Sequence, residues 1–163
     1  MSTHPTTHSP MHSTTTALHD PACELCRDAG GEVLFQHEAL RVVLVSDLLY
    51  PGFCRVVWQA HVAEMTDLPP ASRSLCMQVV CKVEEAMRAV LHPDKINLAS
   101  LGNMTPHLHW HVIPRFVDDA HYPQPVWGVQ QRTPDANWLA AKAALVPRLC
   151  AALSAECATL RTA

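Results

Sequence analysis

No cluster of lysine or arginine occurs anywhere in this sequence. Its formal net charge is −3 with the histidines neutral. Without a basic stripe there is no electrostatic footprint for a long polyanion, so nucleic acid is not an expected partner. The sequence also lacks an uncharged run of the roughly 18 apolar residues that a membrane helix needs, so no membrane association is expected. Its start, MSTHPTTHSPMHSTTTALHD, has neither a cationic opening nor an apolar stretch and therefore does not read as a signal peptide. A soluble cytoplasmic protein is the expectation. Internal repeats are absent, and paired cysteines are scarce: of seven cysteines only Cys23 and Cys26 form a recognisable pair. Cys54, Cys76, Cys81, Cys150 and Cys157 lie singly in apolar patterns, where a reduced cysteine behaves as a small hydrophobe.

What is present suffices for one domain with a real core, since 48% of the 163 residues are hydrophobic. Residues 1–20 are rich in Ser, Thr, Pro and His and are expected to form a disordered tail, with no role for its scattered histidines. Runs of β-formers at 32–36, 40–46 and 53–58 predict an antiparallel sheet, the third run following a Pro-Gly turn. From Pro69 to Leu91 the period changes: Leu75, Val79, Val83, Met87 and Val90 recur at three and four, which predicts an amphipathic helix covering the sheet. Residues 96–101 and 107–113 read as two more strands joined by a short turn at Gly102-Asn103. An Ala-rich helical stretch from Ala136 to about Leu160 follows, which Pro147 should kink or split. The expected fold is α+β, with 21–128 as the domain and 129–163 as a C-terminal helical extension.

The segment HLHWHVI, 107–113, carries the chemistry. Side chains two apart on a strand share a face, so His107, His109 and His111 line up, while Leu108, Trp110 and Val112 point to the helix-packed side. One reading is a polar face that happens to be histidine-rich. A single metal held by all three is a second, but the outer two α-carbons are about 13 Å apart at roughly 3.3 Å per residue. A graded set, in which a central imidazole attacks an electrophile and its neighbours orient it and stabilise charge, suits the spacing best. Cys23-x-x-Cys26 reads either as a redox dithiol or as half of a zinc site. With a Ser/Thr-rich tail before it and Asp-Ala-Gly-Gly after it, the strand-before, helix-after setting of a redox motif is missing, which favours zinc.

HLHWHVI resembles the His-φ-His-φ-His-φ-φ signature of the histidine triad (HIT) nucleotide hydrolases and transferases. The surrounding YPGFCRVVWQAHVAEMTDL and VIPRF look like that family's Pro-Gly turn, strand and histidine, and its exit from the triad strand. This resemblance implies a homodimer with sheets joined across the interface, and chemistry at the α-phosphate of a purine nucleotide derivative. By it His109 would be the nucleophile forming a nucleotidyl-histidine, His111 a donor to the phosphoryl oxygens, and His107 a group orienting His109. It further implies a structural zinc held by Cys23, Cys26, His61 and His107. Substrate contacts are expected from Asn103, where relatives usually carry Gln, from Asp47 or Ser46 before the Pro-Gly turn, and from Arg115. Met104 stands where the nucleoside-phosphoramidase branch has Ser. The expected activity is hydrolysis that releases a purine NMP from a phosphoester, phosphoramidate or dinucleoside polyphosphate. A nucleotide-binding sensor with little catalysis and a nucleotidyltransferase are the alternatives.

Overall fold

A computed structural model describes residues 19–158. Five antiparallel strands, β1 (Glu32–Gln36), β2 (Leu40–Leu44), β3 (Cys54–Trp58), β4 (Lys95–Ser100) and β5 (His109–Arg115), form one sheet in the order β1-β2-β3-β5-β4. A short N-terminal turn of helix, α1 (Glu24–Arg27), precedes them; α2 (Pro70–Leu91) lies between β3 and β4, and α3 (Ala136–Ala143) and α4 (Val146–Ala158) end the chain. The α+β fold expected from the sequence is the fold observed.

Central strands β3 and β5 are buried on both faces, which is why Val56, Val57, Val112 and Ile113 sit in near-continuous apolar runs. One face packs under α2, whose Val79, Val80, Val83, Met87 and Leu91 are all buried. Pro70 suits the helix start because its missing N–H would have no intrahelical partner there. The helix ends at His92 in the left-handed region (φ 49°), followed by Pro93. Gly52 (φ 90°) passes beneath this end, where a β-carbon would lie 2.6 Å from Leu91 Cδ1, so the Pro-Gly turn admits no side chain at that position.

Pro147 does split the C-terminal stretch: α3 and α4 are separate, and Pro147 occupies the first turn of α4. By length and composition Ala136–Cys157 would suffice for a membrane span. Its stripe Leu149, Leu153 and Cys157 is nevertheless fully buried against α2 and β1, in the same core as the sheet.

The structure shifts two expectations. β5 starts at His109 rather than His107 and runs through Pro114 to Arg115. Pro106 cannot donate, and the His107 amide turns back to the Thr105 carbonyl (2.8 Å), so the ladder begins later and residues 101–108 form a longer connection than a Gly-Asn turn. Up to residue 18 the expected tail lies outside the described residues, whereas His19 and Asp20 pack on the Cys26 segment: His19 Nε2 lies 3.1 Å from the Cys26 carbonyl, and the Asp20 amide meets Cys26 Sγ at 3.4 Å.

Candidate functional site

Alternation along β5 separates chemistry from core. Leu108 and Val112 are buried in the helix-side core with Trp110 against it, while His107, His109 and His111 are buried on the opposite face. Two apolar clusters close that face from either end. Cys23, Leu25, Val43 and Val57 pack together near His107, and Tyr50, Phe53 and Ile113 pack together near His111.

His109 Nδ1 donates to the carbonyl of His107 at 2.6 Å, which fixes the tautomer and leaves Nε2 as a bare lone pair. Burial, the leading cause, and then the cation of Arg55 lower its pKa against the opposing pull of that carbonyl, so the ring is held neutral. Its neighbour His111 lies 4.7 Å away between ring centroids and is flanked by Phe53 at 5.5 Å and by the edge-on indole of Trp127 at 5.1 Å. Burial first, then His109 and Arg55, push the His111 pKa down to about 3, and its Nδ1 is buried without a partner.

His107 faces a different group. Its Nε2 donates to the Trp58 carbonyl (2.7 Å), turning Nδ1 toward Cys23 Sγ and Cys26 Sγ, both at 3.5 Å. Cys26 Sγ also lies 3.4 Å from His61 Nδ1, and the four ligand atoms of Cys23, Cys26, His61 and His107 all fall within 4.8 Å of one another. Tetrahedral zinc with bonds of about 2.3 Å to sulfur and about 2.0 Å to nitrogen requires S···N edges of roughly 3.5 Å, and the Cys23–His107, Cys26–His107 and Cys26–His61 pairs show that spacing. The second nitrogen of His107 is oriented by its bond to the Trp58 carbonyl, and that of His61 lies 3.8 Å from the Asp20 carboxylate. The donor set therefore fits a closed metal centre. These are the four residues that the family resemblance implied, and the fold brings Cys23 to His107 across 84 positions of sequence.

The remaining expected residues are placed less centrally. Asn103 and Met104 are exposed on the 101–108 connection, and Asn103 lines a hollow with Glu64, Ser100 and Pro106. Ser46 is exposed after β2; Asp47 caps the next turn, its carboxylate accepting from the Leu49 amide at 2.9 Å. Arg115, expected as a substrate contact, is neither exposed nor free. At 2% exposure it donates to both oxygens of Asp119 (2.7 and 3.1 Å), to Asn97 Oδ1 (2.6 Å) and to the Gln124 carbonyl (2.7 Å). Through these bonds it anchors the strap of residues 116–132 that seats Trp127 on His111.

Sequence reasoning missed Trp127, Asp20 and Arg55. Trp127 lay in a Pro-rich loop and Asp20 at the end of a polar tail, so neither carried a local signal. Arg55 did carry one: it is the lone charge in the otherwise apolar strand Cys54–Trp58.

The family profile of the HIT domain matches residues 27–118. A histidine triad protein from Marinobacter aquaeolei is 30% identical, over 77% of this chain and 92% of its own, with a TM-score of 0.60. One from Bradyrhizobium japonicum is 29% identical, over 73% of this chain and 91% of its own, at a TM-score of 0.58. A zinc-bound histidine triad family protein from Mycobacterium smegmatis shares the fold at 22% identity, covering 86% of this chain and 96% of its own, with a TM-score of 0.56. No curated protein matches the sequence.

Proposed function

The chain belongs to the HIT domain family, and from that premise we propose that it hydrolyses a purine nucleotide derivative through a covalent nucleotidyl-histidine. The substrate class is a phosphoester, a phosphoramidate or a dinucleoside polyphosphate. One observation carries the reading: the bond from His109 Nδ1 to the His107 carbonyl presents Nε2 unprotonated in a buried, neutral ring. In the first step Nε2 attacks phosphorus, a P–N bond forms, and the leaving group departs with its bonding electron pair and takes up a proton from solvent water. In the second step water attacks phosphorus and gives up a proton to solvent, the P–N bond breaks with its electron pair returning to Nε2, and NMP is released. His111 donates one N–H to a phosphoryl oxygen as charge grows there. His107 acts on His109 through its carbonyl and is a positioning residue.

Intact-protein mass spectrometry of the wild type, mixed with adenosine and guanosine polyphosphates and phosphoramidates, tests this. A transient gain of one nucleotidyl group together with NMP release is the expected result. Saturable binding with no NMP from any compound would replace the hydrolase with a nucleotide-binding sensor.

We read Cys23, Cys26, His61 and His107 as a structural zinc centre. Four protein ligands leave no open position for water, so bound zinc would supply rigidity, tying α1 to the start of the triad strand. The purified protein should contain about one zinc per chain, and Cys26→Ser should lower both the zinc content and the melting temperature. Full thermal stability after metal-free preparation would remove this assignment.

The open edge of β4, where Leu98 and Leu101 are exposed, supports a homodimer whose sheet continues into a second copy. Light scattering that returned the monomer mass at micromolar concentration would exclude it.

A further inference from the structure

Arg55 pairs directly across the sheet with His111, so its side chain shares the histidine face. Two residues to either side, its same-face neighbours are Val57 of β3, in the cluster near His107, and Phe53 just before β3, in the cluster near His111. Arg55 thus stands in the gap between the two apolar clusters, the stretch of the face that holds His109 and His111.

The other arginines of this face are occupied. Arg41 donates to the carbonyls of Leu25 (2.7 Å), Ala29 (2.9 Å) and Asp28 (3.2 Å) and to Gln59 Oε1 (3.2 Å), pinning the segment after α1. Arg115 is consumed by the 116–132 strap. Arg55 makes one long bond, from Nη1 to the Gly30 carbonyl at 3.3 Å. Its Nε is buried with no acceptor, its Cζ lies 5.8 Å from the Phe53 ring centroid, and it has no ion pair among the described residues. Withholding acceptors from a half-buried guanidinium is unfavourable, and a buried donor without a partner calls for an explanation. A phosphate supplies the missing acceptors: its oxygens match the planar fork, and its charge matches the cation.

We propose that Arg55 is a phosphate-binding residue of this site, its guanidinium exchanging the Gly30 carbonyl for non-bridging oxygens of the nucleotide attacked by His109. The assignment rests on the nucleotide reading above. Phosphorus within reach of His109 Nε2 then has the β5 donor His111 on one side and the β3 cation on the other, a two-sided clamp.

NMR titration of the zinc-loaded full-length protein with AMP, adenosine, GMP and guanosine tests it. Wild type should bind a nucleotide more tightly than its nucleoside. Arg55→Gln should weaken the nucleotide about ten- to a hundredfold while leaving the nucleoside unchanged. Arg55→Met keeps the aliphatic stem over Phe53 and gives the same comparison should the glutamine variant not fold. Nucleotide and nucleoside weakening together would make Arg55 a pin for the Gly30 turn and overturn the assignment, as would unchanged nucleotide affinity. Wild type that binds none of the four would overturn the nucleotide reading itself, and the Arg55 assignment with it.

Discussion

Replacing His109 with alanine is expected to abolish the nucleotidyl adduct and to slow NMP release on the order of 10⁴- to 10⁶-fold, the scale seen when a covalent nucleophile is removed. The fold should survive, because among the described residues the one hydrogen bond of the ring is to the His107 carbonyl two residues back, and β5 is held by its ladders to β3 and β4. Zinc content should also be unchanged, since the cluster uses the side chain of His107 and not that of His109. His107→Ala removes a cluster ligand and disturbs both properties, so the pair of variants separates chemistry from scaffold. A His109→Ala rate within tenfold of wild type, in whichever assay first detects turnover, would eliminate the covalent route.

The second large effect is on stability. Asp119 is fully buried and accepts from Arg115 twice and from the amides of Phe116, His121 and Tyr122. Asp119→Ala leaves the Arg115 guanidinium buried and uncompensated and is expected to cost about 3–5 kcal/mol. Arg132, whose Nη1 donates to the carbonyls of Val117, Asp119 and Tyr122, loses the turn it closes. The loss should reach the site, because the same strap seats Trp127 against His111; changed tryptophan fluorescence would report it.

The pH dependence has a definite sign. Burial pushes the Asp119 carboxyl up, but the bonds from Arg115 and from the amides outweigh it, so the folded pKa lies below the ordinary value. The stabilisation is therefore complete above the unfolded pKa of about 3.9 and is lost as pH falls through the lower folded value. Denaturant midpoints across acid pH should fall more steeply in wild type than in Asp119→Asn. A penalty under about 1 kcal/mol for Asp119→Ala would mean that the pair is replaceable by water.

Much of the site was legible in the chain because period is a local property. Alternation over 107–112 assigned the histidines and the core residues to opposite faces, and the 3.6-residue period from Pro69 to Leu91 assigned the covering helix, observed at Pro70–Leu91. The fate of Arg115 was not legible, since an arginine after a triad strand reads alike whether it reaches a ligand or a carboxylate. Asp119, only four residues on, settled it through a turn whose amides converge on the same carboxylate. Trp127 was hidden for a related reason: its seat on His111 depends on the whole strap, not on its neighbours in sequence.

By itself the sequence determined the α+β fold, the two faces of the triad strand, the family, and the residue types that can hold a metal, because periodicity and motif spacing are written in consecutive residues. Only the tertiary structure decided which nitrogen of each imidazole is bound, that Arg41 and Arg115 are occupied while Arg55 has donors to spare, and that Trp127 closes one end of the site. Those outcomes depend on which donors and acceptors meet across strands and loops far apart in the chain, and hydrogen-bond partners of that kind are chosen by three-dimensional proximity.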